Sequence, residues 1–370
     1  MYKIKNAENI ISPQLIYYKD YIDQNIDKAI NIAHTSNRLW PHVKTHKMPQ
    51  MVKALINKGV TKFKCATIAE CEMIATTGAT DVILAYPLIG PNIQRFIQLQ
   101  KTFPKVNWYA IGDDFNQISK LNDAAVKADV KIKFMFDVNM GMNRTGVPIS
   151  QLKQLAQQVK ELKNIDVCGL HCYDGNHNNK DFTMRKHDVD ATLQELHPVI
   201  EFINNLYGKK LMIVAGGTPA FPCYQNYENI FCSPGTLFVN DWGYEHNIPD
   251  LDFKPAACVF TRVVSHPQKN IFTVDCGYKA IASDPKVLRG HIVGFEDKVE
   301  ELFQSEEHWV FKMKEGHENE IPAIGTELYI IQTHICPTTA LYPFVLIADG
   351  EKGEIVDKWD VVARNRKITI

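Results

Sequence analysis

Residues 81–111, DVILAYPLIGPNIQRFIQLQKTFPKVNWYAI, contain the unit that decides the fold. Short apolar runs at 81–86 and 106–111 predict two strands, and apolar residues at helical spacing over 91–102 predict a helix between them. Pro91 suits the first position of this helix, where its missing N–H costs no hydrogen bond. Two strands joined through a helix are typical of a parallel sheet.

The alternation of strand and helix extends in both directions from this unit. Further helical patterns are clearest over 114–129, 150–163 and 181–207. The predicted strands are 39–44, 62–66, 81–86, 106–111, 130–138, 165–171, 211–215 and 229–232. Eight such units have the size of a (β/α)8 TIM-type barrel of about 225 residues, which we place at residues 19–246. A doubly wound open sheet is the alternative, although no strand is followed by the GxGxxG loop of dinucleotide-binding folds.

The pattern changes after residue 246. Apolar runs become short, alternating and separated by turns, as at 259–264, 308–312 and 344–348. Asp349-Gly350-Glu351-Lys352-Gly353 is a tight-turn sequence between two such runs. We therefore predict a second, mostly antiparallel β domain over 247–370, which the N-terminal segment 1–18 joins through a strand.

The overall composition excludes several classes of protein. Of 370 residues, 45% are apolar and 22% charged, as in an ordinary globular protein. Lys and Arg number 41 against 42 Asp and Glu, so the basic excess typical of nucleic-acid or membrane-surface binding is absent. The apolar runs are too short to cross a bilayer, and we expect no secretory signal. Nine scattered cysteines without a pairing pattern indicate reduced thiols and a cytoplasmic protein.

Chemistry-bearing residues follow three of the predicted barrel strands, where barrel active sites lie. The first strand ends in Pro41-His42-Val43-Lys44-Thr45-His46-Lys47, and a partly desolvated Lys44 would supply a nucleophilic amine. The seventh leads into Gly216-Gly217-Thr218-Pro219 and the eighth into Ser233-Pro234-Gly235-Thr236. Their glycine N–H groups and hydroxyls suit a phosphate. Any one of these features is also typical of a surface loop, but together they indicate pyridoxal 5'-phosphate (PLP) held by Lys44 as a Schiff base.

Motifs along nearly the whole chain resemble the D-threonine aldolase and D-serine dehydratase family, whose members are PLP enzymes with the architecture of alanine racemase. They occur in family order: PHVKTHK at 41–47, DVNMGMNRTG at 137–146, GLHCYDG at 169–175, GGTP at 216–219, SPGT at 233–236, VDCG at 274–277 and HICPT at 334–338. The resemblance therefore implies an alanine-racemase-like fold, a PLP-dependent activity and a homodimer with sites completed across the interface.

Matched residue by residue, the resemblance makes Lys44 the Schiff-base lysine and places Arg144 and Tyr173 against the cofactor ring. It assigns phosphate contacts to Gly217, Thr218, Gly235 and Thr236, and a divalent metal to His334 and Cys336. One departure is Trp40, since the family often has arginine before Pro-His; the substitution removes a positive charge near the site.

The metal pair also has a physical rationale. On a strand, residues two apart point to the same face, so His334 and Cys336 would share one. Neutral imidazole with thiolate suits Zn²⁺ better than Mg²⁺, with Mn²⁺ as an alternative, and two protein ligands leave positions for water and substrate. A buried cysteine beside an ordinary histidine is the alternative interpretation. His177, which follows the sixth strand, is a candidate base.

We expect a PLP- and metal-dependent lyase acting on a small D-3-hydroxy amino acid. If Lys44 removes the Cα proton and the metal helps hydroxide leave, the reaction is dehydration to a keto acid and ammonia. If a base such as His177 removes the hydroxyl proton, it is retro-aldol cleavage to glycine and an aldehyde. In the family a His-x-Cys pair resembles the dehydratases and His-x-Asp the aldolases, so Cys336 favours dehydration. The alternatives are an amino-acid racemase on the same fold, which needs no metal, and a non-catalytic PLP carrier, which resembles the bare barrel.

Overall fold

The computed structural model describes residues 2–286 and 288–370. Its strands are β1 Gln14–Tyr18, β2 Lys62–Cys65, β3 Asp81–Leu84, β4 Asn107–Gly112, β5 Ile132–Asn139, β6 Val147–Pro148, β7 Ile165–His171, β8 Met212–Ala215, β9 Ile230–Cys232, β10 Ala257–Gln268, β11 Ile271–Val274, β12 Gly290–Ile292, β13 Val299–Gln304, β14 Trp309–Met313, β15 Glu327–Gln332, β16 Phe344–Ala348 and β17 Ile355–Asp360. Its helices are α1 Lys19–Ala33, α2 Pro49–Asn57, α3 Ile68–Ala75, α4 Pro91–Thr102, α5 Phe115–Ala128, α6 Ile149–Val159, α7 Phe182–Tyr207, α8 Trp242–Asn247 and α9 Ile335–Leu341.

The chain forms two compact units. The first, which we call the barrel unit, comprises residues 29–44, 49–235 and 365–370. The second, which we call the β unit, comprises residues 2–28, 45–48, 236–286 and 288–364.

The barrel unit contains a parallel sheet in the order β2-β3-β4-β5-β7-β8-β9, with β6 added to β5. Helices α3 to α7 lie in the connections between successive strands as far as β8, whereas a 3₁₀ turn, Phe221–Tyr224, replaces a helix between β8 and β9. Isolated bridges join Leu39 to Cys232 of β9 and His42 to Lys64 of β2, so residues 39–42 contact both ends of this sheet order. The predicted strand–helix barrel architecture is confirmed.

The prediction of a regular strand over 39–44 is wrong in detail. Leu39 and His42 form only isolated bridges, and a 3₁₀ turn begins at Val43. Pro41 lies between them and has no N–H to give to a ladder. Lys44 therefore projects from a turn rather than from the end of a strand.

Helix limits in the barrel unit follow from their capping residues. Asp114 caps α5 by accepting the N–H of Gln117, and Asp181 caps α7 by accepting that of Met184. Helix α7 ends at Gly208, which takes the left-handed conformation (φ +65°) that glycine adopts without strain.

The β unit contains a mostly antiparallel sheet, as predicted. Its strands run β13-β14-β11-β10-β1-β16-β17, and β15 pairs with β10 and β12. Strand β1 pairs antiparallel with β10 and parallel with β16, and all five of its residues are buried. The N-terminal segment is thus an internal strand of this sheet.

Two further properties bear on the class of protein. Within residues 2–286 and 288–370, no helix has the length and apolarity that a membrane crossing requires. All nine cysteines are free thiols.

Candidate functional site

Lys44 lies in the 3₁₀ turn Val43–Thr45 and is half-buried. The preceding backbone is fixed on both sides: the His42 N–H donates to Pro234 O at 2.9 Å, and Pro41 O accepts the Lys64 N–H at 2.9 Å. The Lys44 N–H faces His42 Nδ1 at 3.3 Å. These bonds hold the turn, and with it the base of the Lys44 side chain, against the chain at both edges of the parallel sheet.

A buried polar cluster that the sequence analysis missed lies in the barrel unit. Lys64 of β2 is 1% exposed, and its Nζ donates to Ser233 Oγ at 2.6 Å and lies 3.5 Å from His171 Nε2. His171 Nδ1 lies 2.7 Å from Asp137 Oδ1, because β5 and β7 place the two residues in register. One signal was available: Lys64 is a charged residue within a predicted buried strand, His171 is the last residue of another, and Asp137 is the last but one of a third.

Electrostatics within this cluster favour the neutral forms of its bases. Burial lowers the pKa of Lys64 to about 7, helped by the charges of Lys44 and Arg144. Burial also lowers the pKa of His171, although its hydrogen bond to Asp137 opposes the shift. The charges of Lys44 and Arg144 therefore act on Lys64 in the barrel unit.

Arg144 and Tyr173, the two residues predicted to contact the cofactor ring, lie against each other, and their contact with a cofactor stays a prediction. The Arg144 guanidinium lies 4.9 Å from the centroid of the Tyr173 ring, and Lys64 Nζ lies 5.4 Å from it. Gly146 shapes the loop after Arg144, since its φ is +102° and a Cβ there would lie 2.5 Å from Asn139 N.

The predicted phosphate contacts of the barrel unit are buried and already engaged. The Gly217 N–H donates to Asp174 Oδ1 at 2.9 Å, and the Gly235 N–H donates to Thr218 Oγ1 at 3.2 Å. A Cβ on Gly217 would lie 3.0 Å from Cε2 of Tyr173, so a larger residue at this position would press on the Tyr173 ring. That these residues contact a phosphate stays a prediction. Phosphate binding would replace these internal hydrogen bonds with bonds to the phosphate.

His177, the candidate base, is a buried residue beside α7. Its side chain is 8% exposed, and its Nε2 lies 3.3 Å from the Thr192 hydroxyl of α7. Its backbone N–H donates to Asp174 O. The imidazole is therefore packed against α7. Asp174 is a second buried acid that the sequence analysis did not single out. Burial raises the pKa of its carboxyl, although the hydrogen bond from the Gly217 N–H opposes the shift.

In the β unit, His334 and Cys336 lie at the start of α9 and not on a strand, so that part of the prediction is wrong. Residues two apart on a helix point about 200° away from each other. His334 nevertheless reaches the Cys336 thiol, because it precedes the helix with extended backbone angles (φ −138°, ψ 104°). The Cys336 thiol also lies 3.2 Å from Thr45 Oγ1 and 3.3 Å from Thr236 Oγ1, so Thr236 contacts this pair.

Two carboxylates surround the His334–Cys336 pair. Asp284 Oδ2 lies 2.6 Å from His334 Nδ1, and buried Asp241 accepts the N–H of Ile335 at 3.0 Å. Burial disfavours the His334 imidazolium, but the Cys336 thiol and Asp284 outweigh it and raise the pKa of His334 to about 9. Burial raises the pKa of Asp241 to about 6.

The residues of both clusters fit the ligands predicted for them. The cluster in the barrel unit fits PLP, and His334 with Cys336 fits a divalent metal. Arg144 and Lys64 beside the Tyr173 ring, with Gly217 next to the same ring, suit an anionic, planar cofactor. An imidazole and a thiol suit Zn²⁺, and Asp284 holds the other ring nitrogen of His334 as carboxylates do behind metal-bound histidines. Among the described residues no group of three or more His, Cys, Asp or Glu gathers for a metal, so the pair would bind with water or substrate completing its coordination.

The fold and these clusters define an alanine-racemase-like protein with a second β domain. Residues 19–239 match the family model of the alanine racemase N-terminal domain, and residues 256–348 match that of a putative serine dehydratase domain. The chain belongs to the alanine racemase N-terminal domain family, and the resemblance to its D-threonine aldolase and D-serine dehydratase members is confirmed.

Curated relatives and solved structures are similar over nearly the whole chain. The 3-hydroxy-D-aspartate aldolase of Paracoccus denitrificans (strain Pd 1222) is 25% identical, over 98% of this chain and 94% of its own. The D-threonine aldolase of an Arthrobacter species is 22% identical, over 88% and 85%. The crystal structure of D-threonine aldolase from Filomicrobium marinum matches with a TM-score of 0.87 at 24% identity and covers 96% of each chain, which shows the shared fold.

Proposed function

We propose that the protein is a PLP- and metal-dependent lyase that acts on a D-3-hydroxy amino acid. The observation that carries the proposal is the pair of basic side chains, Lys64 and Arg144, on the Tyr173 ring, together with the charge of Lys44 acting on Lys64. Such a set suits an anionic cofactor that binds covalently to an amine. The names of the relatives, aldolases of D-hydroxy amino acids, support the substrate class.

Each residue has a defined task in this proposal. Lys44 would hold the cofactor through its amine, and as a free amine it would be the base at the substrate Cα. Arg144 and Tyr173 would orient the cofactor ring, and Gly217, Thr218, Gly235 and Thr236 would contact its phosphate. Bound PLP would supply an electron sink for a carbanion at Cα. His334 and Cys336 would hold a divalent cation, Zn²⁺ on the chemistry of the donors, and the cation would supply Lewis acidity at the β-hydroxyl.

Dehydration is the outcome that the residues favour. Retro-aldol cleavage needs a base at the β-hydroxyl, and His177, the candidate, packs against Thr192 of α7. Removal of the Cα proton by Lys44 needs no second base; the β-hydroxyl leaves as water, and hydrolysis of the remaining C–N bond by another water gives a keto acid and ammonia. Cleavage to glycine and an aldehyde is the second candidate, because the relatives named above are aldolases.

Borohydride reduction followed by peptide mapping tests the cofactor assignment. We expect PLP fixed on Lys44 and a loss of turnover of at least about 10³-fold in Lys44→Ala, since the covalent step is removed. Lys62→Ala is the control, because Lys62 lies on β2 and contacts Asn37 O outside this cluster. Full activity in Lys44→Ala would contradict the proposal.

Product analysis tests the reaction. D-serine, D-threonine and D-3-hydroxyaspartate are offered with and without a chelator. A keto acid with ammonia indicates dehydration, and glycine with an aldehyde indicates cleavage. Chelator-insensitive racemisation of alanine would favour the racemase alternative, and bound PLP without turnover of any amino acid would favour a carrier. Light scattering tests the predicted homodimer.

A further inference from the structure

The Cys336 thiol, a predicted metal ligand, is contacted by two threonine hydroxyls that the proposed function does not explain. Thr45 Oγ1 lies 3.2 Å from Cys336 Sγ, and Thr236 Oγ1 lies 3.3 Å from it. Thr45 is fully buried and Thr236 is 6% exposed. The two threonines are 291 and 100 positions from Cys336 in the chain, so only the tertiary structure of the β unit brings the three side chains together.

The backbone places both hydroxyls. Thr45 ends the 3₁₀ turn that begins at Val43, and Thr236 begins the 3₁₀ turn that ends at Phe238. The Thr236 carbonyl accepts the N–H of Asn240 at 2.6 Å, which fixes the start of its turn. A threonine side chain branches at Cβ, which restricts its rotamers. Both hydroxyls are therefore held beside the sulfur by the fold and not by a flexible side chain.

The directions of the two hydrogen bonds follow from the chemistry of a metal ligand. With a thiol, either partner in each contact could be the donor. A cysteine that binds a divalent cation does so as a thiolate, which has no proton and can only accept. Thr45 and Thr236 then both donate O–H to one sulfur. A hydrogen bond to a charged acceptor is roughly twice as strong as one between neutral groups, so the two threonines favour the thiolate.

A second consequence concerns Thr236, which the family resemblance assigns to the cofactor phosphate. A hydroxyl has one proton to donate, and the oxygens of a phosphate dianion only accept. If the Thr236 hydroxyl donates to Cys336, it cannot donate to the phosphate as well. A hydrogen bond from Thr236 to the phosphate would then come from its backbone N–H, so the side chain and the backbone of this residue would serve two different ligands.

We propose that Thr45 and Thr236 are positioning residues of the metal site: both donate their hydroxyl protons to Cys336 and stabilise the thiolate that binds the divalent cation. The proposal rests on the proposed function, because it takes Cys336 as a metal ligand. Residues that hydrogen-bond to a metal ligand typically raise metal affinity about 10- to 100-fold. Asp284 has this position behind His334, and the two threonines have it behind Cys336.

Competition with a chromophoric zinc chelator tests the proposal on the purified PLP-bound protein. Thr45→Val and Thr236→Val replace only the hydroxyl by a methyl group, so we expect each to weaken zinc binding at least about tenfold. Thr45→Ser and Thr236→Ser keep the hydroxyl and should bind zinc nearly as the wild type does. Thr273→Val is the matched control, since Thr273 is a buried threonine on β11 of the same unit, and its zinc affinity should not change.

The spectrum of the cobalt(II)-substituted protein separates hydrogen bonding from a general disturbance of the site. A cobalt-bound thiolate absorbs in the near ultraviolet, because charge moves from sulfur to the metal. Hydrogen bonds to the sulfur lower the energy of its lone pairs, so their loss in either valine variant should shift this band to longer wavelength. Each serine variant should restore the wild-type position of the band.

Thr236→Val also tests the division of tasks within this residue. We expect the variant to lose zinc affinity while it retains PLP on dialysis as the wild type does, measured by the absorbance of the cofactor. Loss of PLP on dialysis would assign the hydroxyl to the phosphate and would overturn the inference for Thr236.

The outcomes separate this inference from the proposed function. If Cys336→Ser loses zinc but the folded valine variants keep the zinc affinity and the cobalt spectrum of the wild type, the threonines are structural and the inference alone is overturned. If Cys336→Ser retains zinc, the metal assignment of the proposed function and this inference fail together. Circular dichroism shows which variants fold, and each threonine is tested separately, so one folded valine variant is enough.

Discussion

Replacement of Trp40 by alanine should destabilise the barrel unit more than most substitutions. The indole is 1% exposed and packs edge-to-face on Tyr109 at 5.6 Å and on Phe231 at 6.2 Å. It belongs to a buried cluster that also contains Ile83 and Met135. Removal of a buried tryptophan costs about 3–5 kcal/mol, to which each lost aromatic pair contributes about 0.5–1.5 kcal/mol. We therefore expect a loss of about 4 kcal/mol in the free energy of unfolding.

Trp40→Phe separates packing from hydrogen bonding at the same position. Within the described residues, Trp40 Nε1 is buried without a hydrogen-bond partner. An unsatisfied buried donor costs about 1–3 kcal/mol, so its removal should offset most of the volume that phenylalanine loses. We expect Trp40→Phe to lie within about 1.5 kcal/mol of the wild type.

Urea unfolding followed by far-UV circular dichroism, at one fixed PLP concentration, measures both differences, since bound cofactor also stabilises the folded state. The reasoning fails if Trp40→Ala loses less than about 1 kcal/mol, or if Trp40→Phe is the less stable of the two. Either result would mean that the indole is not a packing element of the barrel interior, and would reopen the question of what replaces the family's arginine there.

Three further predictions concern pH, backbone and metal. Burial lowers the pKa of His46 to about 3, so between about pH 6.5 and 3 the unfolded state binds one more proton than the folded state. The free energy of unfolding should therefore fall by up to about 1.4 kcal/mol per pH unit as the pH decreases through that range. In urea unfolding at several pH values, His46→Asn should flatten this slope. Gly146→Ala should lower the free energy of unfolding by several kcal/mol, because a Cβ there would lie 2.5 Å from a backbone atom. Gly78 has a similar φ, but a Cβ there meets nothing within 4 Å, so Gly78→Ala should cost only about 1 kcal/mol. Equal urea midpoints for the two variants would contradict this reasoning. Cys336→Ser should lower bound zinc at least about tenfold by elemental analysis, while Cys168→Ser leaves it unchanged; retained zinc in Cys336→Ser would remove that thiol from the ligands.

Local periodicity predicted most of the barrel unit. Strand β7 has the predicted bounds, and β3 and β4 differ from theirs by a residue or two. The reason is that alternating strands and amphipathic helices record burial residue by residue. Periodicity did not predict the conformation of residues 39–44, because a proline interrupts the apolar run. The turn that follows is also held by hydrogen bonds to Pro234 and Lys64, which lie far along the chain.

The start of α9 shows a second limit of the sequence pattern. His334 and Cys336 are two residues apart, which on a strand would place them on one face. Their interaction instead depends on the extended conformation of His334 before the helix, and Asp241 secures that helix start by accepting the Ile335 N–H. The carboxylate that does this is more than ninety positions away in the chain.

The sequence by itself determined the element order, the barrel with its β domain, the family and the identity of Lys44 as the candidate amine, because periodicity and contiguous motifs are local properties of the chain. Only the tertiary structure decided what surrounds these groups. It joined Lys64, Asp137, His171 and Ser233 into one hydrogen-bonded cluster and packed His177 against α7. Such contacts depend on strand register and on burial, and no local pattern of residues encodes the distance between positions 64 and 233.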